Sequence, residues 1–159
     1  MPNIFDRVRL NPRQLRTVAE RRLADAEALR KTGDNERANG AMYLGGFVIE
    51  CLLKARLLEE HPWLQRPLGP NASSQEQRLW SLCFRPHDLI EILEHLPGLR
   101  QELAARDKAE GRQASLPDLL SAICSQWTIQ ARYSPRSETM ANAERFLMRV
   151  KERKECLKS

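Results

Sequence analysis

Residues 41–58, AMYLGGFVIECLLKARLL, carry apolar side chains in every direction when wound as a helix. The stretch holds no proline, consists mainly of good helix formers and is far too long for a single strand. At about 100° per residue, Met42, Ile49, Leu53 and Leu57 share one side. Val48 and Leu52 take a second, and Leu44, Cys51 and Leu58 a third. A helix that is apolar all round is normally central to its fold. Glu50 and Lys54 interrupt it one turn apart, on the face that also carries Tyr43 and Phe47. An isolated buried charge is costly, so the two are expected to be paired or functional. Gly45 and Gly46 weaken the helix and predict close approach by a neighbouring helix or a second subunit.

The rest of the chain is punctuated as helices, with no convincing strand. Asn11 and Pro12 open a first helix, with Leu15, Val18, Ala19, Ala26 and Leu29 as its stripe and Gly33 as its stop. The apolar helix is expected over about 36–60, antiparallel to the first across a short link. A proline-rich loop or insertion follows near 61–74, and Ser74-x-x-Gln77 resembles a capping box for a helix through Leu79, Trp80, Leu82 and Phe84. Another helix spans 87–96, with Leu89, Ile92, Leu93 and Leu96 inward, until Pro97-Gly98 breaks it. The stretch from Leu99 to Gly111 is read as helical at first and then charged and mobile, with an insertion near 105–115. Ser115-x-x-Asp118 starts a helix with Leu119, Leu120, Ile123 and Trp127 inward. A last helix, about 137–157, shows Met140, Ala143, Leu147, Val150 and Leu157. The expected fold is an all-α antiparallel bundle of five to six helices, one domain over 1–159.

Composition narrows the class. With 42% hydrophobic and 30% charged residues among 159, the chain is an ordinary globular one. No stretch is apolar enough to span a membrane, and MPNIFDRVRL lacks the apolar core of a secretory signal, so a cytoplasmic protein is expected. Cys51, Cys83, Cys124 and Cys156 stand far apart, which predicts reduced, mostly buried thiols and no structural zinc. The net charge is +5, and residues 145–159 alone contribute +4. That basic end is read as a solvated helix face suited to the helix dipole, with phosphate contact as the alternative.

Three stretches resemble the higher-eukaryote and prokaryote nucleotide-binding (HEPN) family. GGFVIECLLKA (45–55) is similar to the family's AGY-x-x-E-x-x-LK helix. His87-Asp88-Leu89 with Ile92-Leu93 is similar to HDLxxLL. Ala131-Arg132-Tyr133-Ser134-Pro135 is similar to its RYPD element, with RYSP in place of RYPD. The resemblance implies a HEPN-like bundle acting as a homodimer, a nucleotide or RNA ligand, and a minimal nucleotidyltransferase as partner protein in a toxin–antitoxin setting. It also places Glu50, Lys54, His87, Arg132 and Tyr133 in one polar network. Ribonuclease members carry a late R-x4-6-H signature, which is missing after Arg132; Arg56 and His61 have the spacing at the end of the wrong helix.

Each candidate also has a plain structural role. Glu50 and Lys54 suit a register-fixing ion pair better than catalysis, with the acid N-terminal as helical pairs prefer. His87 follows Pro86, where it could cap the helix or meet an anion. Arg132 and Tyr133 lie between helices and suit phosphate or base recognition, although Arg132 could equally bridge to Glu50. His87 and His95 are two turns apart, roughly 12 Å along the axis, too far to share a metal. No metal or cofactor is therefore expected, and no catalytic residue is assigned. The enzyme alternative is a metal-independent ribonuclease using His87 and Arg132, and a third reading is a purely structural assembly domain.

Overall fold

The computed structural model describes residues 11–84, 89–111 and 137–158. Among these, all regular structure is helical: α1 (Pro12–Lys31), α2 (Ala38–Glu60), α3 (Ser74–Phe84), α4 (Leu89–Glu94), α5 (Pro97–Ala109) and α6 (Met140–Leu157). The all-α expectation is met. The sequence-predicted helix around Leu119 to Trp127 lies outside the described residues.

Helix α1 begins as its signals require. Asn11 is extended, its Oδ1 accepts from the Gln14 amide at 2.8 Å, and Pro12 occupies the first turn. Gly33, at φ +68°, takes the left-handed conformation that ends the helix. The buried stripe is Leu15, Ala19, Leu23 and Ala26. Val18, expected inside, is 38% exposed. At about 100° per residue it falls on the flank of the stripe that Leu23 completes.

A short 3-10 turn, Asn35–Arg37, capped by the Asp34 carboxylate, turns the chain into α2. Arg16 near the start of α1 grips Glu59 near the end of α2 with two bonds of 2.5 and 2.9 Å, so the pair is antiparallel. Helix α2 is enclosed by α1, α4 and α6. Val48, Ile49, Leu53, Leu57 and Leu58 are completely buried, although they point in different directions. These neighbours within the chain supply the cover that a helix apolar all round demands. The close approach predicted at Gly45 is internal, since a Cβ there would stand 2.8 Å from both Leu147 and Phe146 of α6. Leu53→Ala should lower stability by about 2–5 kcal/mol in urea unfolding, as large-to-small changes in a packed core do.

Three local expectations shift. The capping box of α3 is Ser73/Glu76, one residue earlier than predicted, with Ser73 N–H donating to Glu76 and the Glu76 amide donating to Ser73 Oγ. Gln77 instead donates to the Ala72 carbonyl. The expected loop after α2 contains a 3-10 turn, Pro62–Gln65, that buries Leu64. The segment read as a mobile insertion is helical as far as Ala109: Pro97 sits in the first turn of α5, and Leu99, Leu103 and Asp107 line its buried side.

Helix α6 is held at its start by residues a hundred positions away. Asn35 Oδ1 accepts from the Met140 amide at 2.7 Å, and Asn39 Oδ1 accepts from the Glu138 amide at 2.9 Å. Asn35 thereby satisfies a donor that the helix start leaves open, and Asn39 holds the residue before the cap. No described helix is long and apolar enough to cross a membrane.

Candidate polar centre of the bundle

The charged residues inside α2 are paired where the pattern placed them. Lys54 Nζ donates to Glu50 Oε1 at 2.6 Å, and the two residues are only 8% and 3% exposed. One turn separates them, so the helix itself sets the geometry. Glu50 also interacts beyond this bond. Tyr43 and Phe47 meet edge to face at 5.0 Å further along the same helix.

Two buried thiols lie within reach of the pair's charges. Burial pushes Cys51 up to about 11, with the Glu50 charge adding to the shift and Lys54 opposing it. Burial likewise raises Cys83 on α3 to about 11, against the pull of Lys54. Both thiols therefore stay protonated near neutrality and are poor nucleophiles. Cys156 is buried too. A small buried thiol is thus the right reading at these three positions, and Cys124 lies outside the described residues.

Of the five residues expected to converge, Glu50 and Lys54 are brought together. His87, Arg132 and Tyr133 lie outside the described residues. Glu91, on the face shared with His95, is engaged by Arg78 of α3, whose Nε donates at 2.7 Å. Arg56 donates to Glu102 of α5 at 3.3 Å, and His61 closes the C-terminal end of α2 with its ring edge-on to Trp63. Among the described residues, no group of histidine, cysteine and carboxylate side chains could hold a metal ion.

A second buried ion pair escaped the sequence reading. Arg153 of α6, 1% exposed, donates through Nη1 to Asp107 Oδ1 of α5 at 2.8 Å, and Asp107 is 5% exposed. Arg153 Nη2 and Asp107 Oδ2 are buried with no partner among the described residues. Arg153 belongs to the basic end that the sequence reads as a solvated face. Its register was the available signal: Ala143, Leu147, Val150, Arg153 and Leu157 follow the three–four spacing of a core stripe. Asp107 continues Leu99 and Leu103 in the same way.

The remaining cations of the basic end are largely consumed inside the fold. Lys151 reaches Glu27 at 2.8 Å, while Lys154 and Lys158 reach Glu20 at 2.7 and 2.5 Å. Arg30 of α1 answers Glu144 of α6 at 3.1 Å. The helices therefore run antiparallel, zipped by a ladder of charges. Arg145 bonds to Asn142, and Arg149 is exposed.

Acid should loosen this ladder. Hydrogen bonds from Lys154 and Lys158 hold the Glu20 carboxyl below its usual range. Burial alone would raise Glu27, but Lys151 and Arg30 outweigh it and hold it low as well. A carboxylate depressed in the folded state contributes stability above its unfolded pKa and loses it as pH falls through the folded value. Stability is expected to decline from about pH 5 downward, within the carboxylate range. Glu27→Gln should flatten that slope in urea titrations across the acid range, and an unchanged slope would remove Glu27 from the account.

Neither known protein families, nor curated proteins, nor solved structures provide a match to this chain.

Proposed function

We propose that the chain is a HEPN-like module that binds RNA or nucleotide and works in the cytoplasm through partners, without being an efficient ribonuclease. The observation that supports this most is the buried Glu50–Lys54 pair at the middle of an antiparallel helix hairpin, within the stretch that resembles the family's E-x-x-LK helix. In this reading His87, Arg132 and Tyr133 complete the polar site, and a minimal nucleotidyltransferase is the partner protein. The homodimer in this reading rests on the resemblance alone, because α2 finds its cover within the chain.

The charge ladder limits how such a module would hold phosphates. With Lys151, Arg153, Lys154 and Lys158 engaged by acids, Arg145 and Arg149 are the cations of the last helix with no acidic partner among the described residues. Two phosphate contacts to a single strand predict a slope near −1.4 for log affinity against log salt. Fluorescence anisotropy on a labelled single-stranded RNA should show weak binding with that shallow slope. Incubation with a structured RNA in the presence of chelator should leave it intact for wild type, His87→Ala and Arg132→Ala alike. Cleavage by wild type that either variant abolishes would replace this proposal with a ribonuclease, since such chemistry needs a positioned proton-transfer group and a cation. Absence of any RNA or nucleotide binding would leave the structural assembly domain.

A further inference from the structure

A cleft of about 620 Å³ opens between α3 and the loop that precedes it, away from the Glu50–Lys54 pair, lined by Leu68, Ser74, Gln77, Arg78, Trp80 and Ser81 among others. Its walls are tied to each other. Gln77 Nε2 donates to the Ala72 carbonyl at 2.9 Å, the Ala72 amide donates to the Gly69 carbonyl at 3.2 Å, and the Ser73/Glu76 box anchors the start of the helix. Pro67 and Pro70 stiffen the loop further. The shape is thus formed before any ligand arrives, which lowers the ordering that binding would require.

The lining combines one aromatic surface with scattered hydrogen-bonding groups. Trp80 is half-buried against the core, and the Phe84 ring lies tilted against it with ring centroids 4.5 Å apart. The Ser74 and Ser81 hydroxyls have no bonding partner among the described residues. Arg78 uses Nε and Nη2 on Glu91, at 2.7 and 2.6 Å, and keeps its Nη1 donors for other acceptors. Glu91 also offsets the charge of Arg78, the charged side chain of the lining among the described residues. A phosphate would therefore gain little here, while a flat ring with a polar edge would gain stacking and hydrogen bonds.

We propose that this cleft binds a neutral, planar heteroaromatic molecule of nucleoside size, stacked on Trp80 and hydrogen-bonded by Ser74, Ser81 and Arg78. The cleft is separate from the RNA or nucleotide site proposed above at the α2 pair, and shifts confined to Trp80, Gln77 and Ser81 distinguish the two.

Adenosine and adenosine monophosphate are suitable probes, read by amide and indole shifts in two-dimensional NMR of the full chain. Adenosine should shift the Trp80 indole N–H and the Gln77 and Ser81 amides saturably. Half-saturation is expected on the order of 1 mM, the range that one stacked ring and a few exposed hydrogen bonds supply. The monophosphate should bind within about threefold of adenosine, because Glu91 offsets Arg78, the cation of the lining among the described residues. Trp80→Phe should keep affinity within about threefold, and Trp80→Leu should weaken it at least about tenfold. Ser81→Leu, at a half-exposed position, should block the cleft and abolish the shifts without touching the stacking platform. No saturable shift up to about 10 mM would overturn the proposal. So would unchanged binding in Ser81→Leu, or a monophosphate bound more than about tenfold more tightly, which would mark a phosphate site instead.

Discussion

Arg153→Met, with Asp107 left in place, is expected to destabilise the protein by about 3–5 kcal/mol, the usual result of stranding one member of a buried pair. The methionine approximates the volume of the arginine stem, so packing against α6's neighbours changes little and the loss is electrostatic. Asp107 would remain in a site where it is 5% exposed, without the cation 2.8 Å away. The pair itself contributes much less than that figure suggests. Its single bond leaves Arg153 Nη2 and Asp107 Oδ2 unsatisfied among the described residues, and each such buried group carries a desolvation penalty of about 1–3 kcal/mol. Replacing both residues, Arg153→Met with Asp107→Leu, should therefore restore stability to wild type or above. Urea unfolding of the two singles and the double measures this directly. A single variant within about 1 kcal/mol of wild type would show that the pair opens to water in solution.

Lys54→Met is expected to destabilise the protein by about 3 kcal/mol, the lower end of that range, because Glu50 stays 3% exposed in the middle of the central helix but keeps an interaction besides Lys54. Glu50 and Lys54 differ from the α5–α6 pair in a second respect. They lie on the same helix, so no tertiary rearrangement separates them, and the ion pair survives wherever α2 is helical. The coupling should appear in a cycle of Lys54→Met, Glu50→Gln and the double variant. A coupling of about 0.5–3 kcal/mol is expected for a contacting pair, and additivity within about 0.3–0.5 kcal/mol would mean that each residue is held by something else. Helical circular dichroism should persist in all three, since the apolar sides of α2 stay covered by α1, α4 and α6.

The two ion pairs differ in how visible they were beforehand. Glu50 and Lys54 stood out because the charges interrupt an otherwise apolar run on one helix, so a local rule was enough to pair them. Arg153 sits in a run of alternating charges, RVKERKE, where the eye counts charge and overlooks register. Asp107 likewise sat in a segment whose charge density suggested solvent, although it continues the spacing of Leu99 and Leu103. Pairing them also required knowing that α5 lies against α6, a contact 46 residues apart in the chain.

Helix identity, the antiparallel hairpin and the burial of α2 were legible in the chain because they follow from local quantities: a period near 3.6, an asparagine–proline start and a glycine stop. Cap positions were legible only to within a residue, as Ser73 in place of Ser74 shows, since neighbouring serines offer equivalent oxygens and the helix selects between them. The direction of each charge was not legible at all. A lysine on a helix surface is equally consistent with solvent, phosphate or a carboxylate, and Lys151, Lys154 and Lys158 became internal ladder members only because α1 presents Glu20 and Glu27 at matching heights. The source of the cover on α2 was undecided for the same reason. An all-round apolar helix demands neighbours, but whether these come from the same chain or a second one depends on how helices far apart in sequence pack. Gly45 beneath Leu147 and Phe146 is where the tertiary structure decided it.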